Sequence, residues 1–95
     1  MLVARNVRSR VGEIDLVMRE GEVLVFVEVR MRRSRAFGGA AASIDAAKRL
    51  RLLRAARLYV ARLSPMPPCR FDAVLLDRLD DDAVEWQRNA IEDAA

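Results

Sequence analysis

Two apolar runs joined through Glu20-Gly21, in the stretch GEIDLVMREGEVLVFVEVRMRR from Gly12 to Arg33, limit what this chain can fold into more than any other feature. A glycine in a two-residue connection between runs of strand character signals a β-hairpin. Val11 to Arg19 and Glu22 to Met31 are therefore expected to pair antiparallel. With Glu20 and Gly21 as the turn, Arg19 faces Glu22, Glu13 lies opposite Glu28, and Asp15 lies opposite Phe26. Side chains alternate along a strand, so Glu13, Asp15, Glu28 and Arg30 share one face. Ile14, Leu16, Val25, Val27 and Val29 share the other, which is the expected core face. Three carboxylates beside Leu24 and Phe26 make a poor solvent face, because like charges repel and burial of an unpaired charge is costly. A hard divalent cation, Mg²⁺ or Mn²⁺, held by Glu13, Asp15 and Glu28 would resolve the conflict with oxygen ligands. The plainer reading of the same residues is a charged hairpin edge that discourages aggregation.

Histidine is absent and Cys69 is the lone cysteine. This excludes Ser-His and Cys-His nucleophile systems, cysteine-rich zinc sites and an internal disulfide. The 95 residues suffice for a single domain, 1–95, with one modest core. No run approaches the length of a membrane span and no signal segment opens the chain, so a cytoplasmic protein with no membrane partner is expected. The net charge of +3 is unevenly spread. Arg30, Arg32, Arg33, Arg35, Lys48, Arg49, Arg51, Arg54, Arg57 and Arg62 face only Asp45 in the middle of the chain, and acids dominate after Phe71. Such asymmetry points to a polyanion partner, nucleic acid and chiefly DNA, through Arg32, Arg33, Lys48, Arg49, Arg51 and Arg54. The alternative is a solvated arginine-rich helix.

Leu2 to Arg8 reads as a first strand, interrupted by Arg5 and Asn6, and completes a three-strand meander. Arg32 to Ala42 reads as a basic, glycine-containing loop. Ser43 is a candidate N-cap for a helix running to about Leu63, with Leu52, Leu53, Ala56, Tyr59, Val60 and Leu63 forming its apolar stripe. Pro65, Pro67 and Pro68 end that helix. Cys69 to Leu76 is then a strand, parallel to Glu22 to Met31 through a strand-helix-strand crossover. Asp72 inside it needs a partner, either an arginine or the hairpin acids. Asp77 to Asp82 is an acidic turn without the ligand pattern of an EF-hand, and Glu85 to Ala94 is a short strand or helix in which Trp86 and Ile91 pack.

These segments, RNVRSRVGEIDLV, LVFVEVRMRR, FGGAAASID with Lys48, CRFDAV and EWQRNAI, resemble the YraN family of bacterial proteins over nearly the whole chain. The resemblance implies an α/β fold with a restriction-endonuclease-like core: an antiparallel three-strand meander, a crossover helix and further strands in a mixed sheet. In that superfamily an Asp, followed on the next strand by Glu-x-Lys, binds Mg²⁺. Asp15, Glu28 and Arg30 match those catalytic positions, and Glu13 matches an additional family carboxylate, with Glu13 or Asp72 expected in support of the metal. The family's N-terminal helix, which carries a glutamate near the site, has no counterpart here. That absence implies a fragment, a segment missing ahead of Met1, or a subunit completed by another chain, as in a homo-oligomer. Arg30 stands where nuclease members place lysine, and arginine cannot shed its proton to serve as a base. Two functions follow: a Mg²⁺-dependent DNA endonuclease or phosphodiesterase, or a non-catalytic nucleic-acid-binding or assembly module of the same fold.

Overall fold

The computed structural model describes residues 1–32, 46–77 and 80–91. Of the loop expected over Arg32 to Ala42, Arg32 instead ends a strand, and the remainder and the Ser43 cap lie outside the described residues, as do the side chains of Asp77 and of Asp80 to Asp82. Within the described residues the chain forms β1 (Leu2–Ser9), β2 (Gly12–Glu20), β3 (Val23–Arg32), α1 (Ala46–Val60), β4 (Cys69–Asp77) and β5 (Asp80–Gln87). The sheet order is β1-β2-β3-β4-β5. β3 and β4 pair in parallel and every other neighbouring pair is antiparallel. A meander, a crossover helix and a parallel return strand constitute the restriction-endonuclease-like arrangement that the resemblance implied. No described helix is long and apolar enough to cross a membrane.

The hairpin forms as expected but in a different register. Arg19 pairs with Leu24 and Glu20 with Val23, so the turn residues are Gly21 and Glu22. Gly21 takes a φ of 61°, and a positive φ at the first central position matches the II′ turn, whose twist suits flanking strands. The two-residue shift preserves the alternation of side chains and sets Asp15 instead of Glu13 across from Glu28.

The helix, however, covers the face opposite to the one expected. Leu24 and Phe26 on β3 pack with Ile14, Val17, Phe71, Ala73 and Leu75 beneath Leu52, Ala55, Ala56 and Val60 of α1. Phe26 stacks on Phe71 at 5.5 Å between ring centroids and meets Tyr59 edge-on at 5.9 Å. Edge-to-face and offset contacts of this kind favour the aromatic face as the one to bury. Val25, Val27 and Val74 form a second cluster on the far side, with Leu16, Met18, Val23, Val29 and Leu76 packed against it. The central strand is thus apolar on both faces up to Glu28, as is usual where a strand has a parallel neighbour. Leu63 lies beyond the helix and is exposed, because Ala61, Arg62 and Leu63 close a final turn of backbone bonds after Val60.

Candidate functional site

The site begins with an irregularity shared by two strands. Ala4 and Val7 on β1 both pack on the helix-side core, as do Ile14 and Val17 on β2. Residues three apart in a regular strand project from opposite faces, so each strand carries one residue out of step with the pleat. Pairing places Arg5 across from Leu16 and Val7 across from Ile14, which sets Asn6 opposite Asp15. Asn6 adopts a φ of 51°, a conformation that asparagine tolerates better than most residues. These bulge-like positions re-aim the side chain of Asp15.

The β2-β3 ladder stops at Leu16 and Val27. Beyond it Val29 N–H donates to Asp15 Oδ2 at 2.8 Å, the side chain taking the place of a strand carbonyl. The strands part into a notch with Asp15 at its root. Gly12 sets the roof of this notch: a Cβ built there would lie 3.0 Å from the carbonyl oxygen of Arg51, and its φ of 156° suits glycine. The close approach seats the early turns of α1 over the parted strands. Glu13, Asp15, Glu28, Arg30, Lys48 and Arg51 consequently line one hollow of about 220 Å³.

Glu28 is the electrostatically strained member. Burial pushes its pKa up to about 7, the Asp15 charge and hydrogen bond push the same way, and Arg30 and Lys48 only partly oppose them. Arg30 Nε stands 3.4 Å from Glu28 Oε1 but lacks hydrogen-bond geometry with any described group. Glu13 turns outward to Arg8 at 3.7 Å. Among the described residues no three His, Cys, Asp or Glu side chains meet closely enough to hold a metal ion. The expected three-carboxylate set is therefore a close Asp15–Glu28 pair with Glu13 at the rim. A pair still fits a hard cation, since Mg²⁺ commonly takes one or two carboxylates and fills its other positions with water and phosphate. The cation would relieve the repulsion that raises the Glu28 pKa.

The expected nucleic-acid contacts separate into groups. Lys48 and Arg51 reach the hollow, while Arg49 and Arg54 are exposed on α1 outside it. The side chain of Arg32 and the whole of Arg33 lie outside the described residues.

Asp72 does not support the site. It faces the other side of the sheet, fully buried, and accepts from Arg70 Nε at 2.9 Å, Arg70 Nη2 at 3.0 Å, Trp86 Nε1 at 2.8 Å and Asn89 N at 2.9 Å. Burial alone would raise its pKa, but Arg70, Trp86 and the Asn89 amide together hold it below the ordinary aspartate value. Arg70 extends the network to Glu20 at 3.3 Å. Of the two partners foreseen for Asp72, the arginine is the one realised. Trp86 is fastened by its N–H with much of its ring exposed, rather than packed in the core. Asn6, in sequence terms only an interruption of β1, carries one usable signal: an asparagine inside a strand, a residue type that tolerates a positive φ.

The family described as Uncharacterised protein family UPF0102 matches residues 1–76. A UPF0102 protein of Nitrosomonas europaea is 56% identical over 93 residues, covering 98% of this chain and 79% of the relative. One from Nitrosospira multiformis is 55% identical over 92 residues, covering 97% and 77%. A third, from Cupriavidus taiwanensis, is 56% identical over 95 residues, covering 98% and 70%. With the family matched over most of its length and close relatives over nearly all of it, the chain belongs to UPF0102, the YraN family.

Proposed function

We propose that the protein binds DNA and hydrolyses its phosphodiester bonds with Mg²⁺ or Mn²⁺ at Asp15 and Glu28. The observation that carries this reading is the apposition of two carboxylates, one with its pKa raised to about 7, in a hollow ringed by Arg30, Lys48 and Arg51. Perturbed acids in a concave, oppositely charged setting are the physical mark of a working site. Asp15 is held by the Val29 amide and keeps a fixed aim, and Glu28 offers the second oxygen ligand. A divalent ion, when bound, supplies Lewis acidity that lowers the pKa of bound water and offsets charge on the phosphate. Arg30 holds phosphate through its planar fork of donors and keeps its proton, Lys48 and Arg51 attract the backbone, and activation of water falls to the metal or a carboxylate.

The test is nicking of supercoiled and branched DNA by the full chain, with and without chelator. Asp15→Asn should reduce cleavage to background, Arg30→Lys should retain or raise it, and Arg30→Ala should weaken both binding and turnover. Cleavage that survives Asp15→Asn would show that the assignment is wrong. Arg51→Ala with Arg54→Ala should flatten the slope of log affinity against log salt by up to about 1.8, at roughly 0.9 per phosphate on B-DNA. The second reading, a module that binds without turnover, is favoured by Arg30 itself. It predicts DNA binding without Mn²⁺ uptake in isothermal titration and without cleavage by any variant.

A further inference from the structure

Among the described residues, Asp15 lines a hollow on each side of the sheet. Away from α1, a hollow of about 390 Å³ is lined by Arg5, Asn6, Asp15, Leu16 and Val29. Leu16 and Val29 belong to the cluster on the far face, so this hollow and the one holding Glu28 meet at Asp15 from opposite sides. Arg5 and Asn6 are exposed, and neither side chain has a hydrogen-bond or ion-pair partner among the described residues. A guanidinium fork and a carboxamide without partners, beside the root of a notch, form a set of donors suited to phosphate oxygens. Among the described residues no aromatic side chain lines this hollow, so its described lining recognises phosphate rather than stacked bases.

We propose that Arg5 and Asn6 hold the phosphates of an unpaired strand that lies in the mouth of the notch, so that the site takes flaps, branches or overhangs in preference to continuous duplex. This deepens the function proposed above and rests on it. A rigid duplex lies against one face of the sheet and leaves Arg5 and Asn6 unused. A single strand bends sharply enough to be held from both faces at the point where β2 and β3 part. Recognition through phosphate alone carries no base preference.

The experiment is fluorescence anisotropy in chelator, comparing a blunt duplex with the same duplex bearing an unpaired overhang. The parent should bind the overhang about tenfold more tightly, the size of roughly one charge-assisted hydrogen bond. Arg5→Ala and Asn6→Gly should bring the ratio close to one. Arg5→Lys should keep most of it, and Arg62→Ala should leave it unchanged. Asn6→Gly accommodates the positive φ and removes only the carboxamide, and Arg5 is exposed, so neither variant threatens the fold. Isothermal titration with Mn²⁺ should be unaltered by either change. A ratio of one in the parent, or a ratio that survives both substitutions, overturns the proposal. If blunt duplex still binds and loses affinity in the Arg51→Ala, Arg54→Ala pair, the broader reading stands while this one falls. A parent that binds neither DNA nor Mn²⁺ overturns both.

Discussion

Asp72 and Glu28 are two carboxylates in one sheet with opposite electrostatic fates. Asp72 is the more deeply buried, yet its pKa is lowered, because Arg70, Trp86 and Asn89 surround it with donors. Glu28 is only partly buried, yet its pKa rises to about 7, because burial and the neighbouring Asp15 carboxylate push it up and Arg30 and Lys48 only partly oppose them. Burial by itself does not mark a functional acid. The shortage of donors does, since a charge that the fold fails to satisfy is available to a ligand. Asp72 ties β4 to β5 and the following turn, whereas Asp15 takes one donor from Val29 across the notch and Glu28 lies beside it.

The largest expected effect breaks the satisfied member. Asp72→Ala should destabilise the protein by about 3 kcal/mol in urea unfolding, as expected when one partner of a buried pair is removed. A loss below about 1 kcal/mol would mean that the network is dispensable. The contrasting change, Glu28→Gln, should stabilise the metal-free protein by about 2 kcal/mol at pH 8. The pKa difference sets the upper limit at 1.36 kcal/mol per unit, reduced here for partial exposure, and the same variant should lose Mn²⁺ binding. Destabilisation at pH 8 would show that Glu28 is satisfied after all. Trp86→Phe removes one donor from Asp72 and should cost about 1 kcal/mol, leaving Mn²⁺ binding intact.

The two acids should also leave opposite signatures in a pH series. The folded protein retains the Glu28 proton up to about pH 7, whereas the unfolded chain releases it near its model value of 4.5. Stability of the metal-free protein should therefore fall as pH rises between these values and level off above them. Asp72 has a folded pKa below its model value of 3.8, so its contribution is present above that value and is lost as pH falls through the folded pKa. Thermal melts from pH 3 to 8 should show both limbs. Glu28→Gln should erase the upper one only, and Mn²⁺ should raise the melting temperature at pH 8 in the parent but not in Asp15→Asn.

Much of the fold was legible from local pattern. The hairpin followed from Gly21 between two apolar runs, the crossover helix from its apolar spacing, and the parallel return from the strand beyond the prolines. Glu28 and Arg30 share a side whatever the register, being two apart on one strand, and correcting the two-residue register error sets Asp15 instead of Glu13 across from Glu28. The error arose because either Glu20-Gly21 or Gly21-Glu22 can supply the turn in sequence terms, and only the positive φ at the first central position separates them. The helix-covered face was misassigned because β3 is apolar on both sides, so alternation could not choose between the valines and Leu24 with Phe26.

The sequence by itself determined that Glu13, Asp15 and Glu28 lie on one hairpin and that an arginine follows Glu28 by two residues, because both are matters of spacing and residue identity. Tertiary structure alone decided that Asp72 would be satisfied on the far face, since its donors come from β4, β5 and the Asn89 backbone. It also decided that Asp15 would turn into a notch between β2 and β3. That outcome depends on Asn6 and Asp15 leaving the pleat together across two strands and on Gly12 admitting the helix backbone at Arg51. Cooperation between residues on different elements has no signature in a linear pattern, because the physical cause is contact made only after the strands pair.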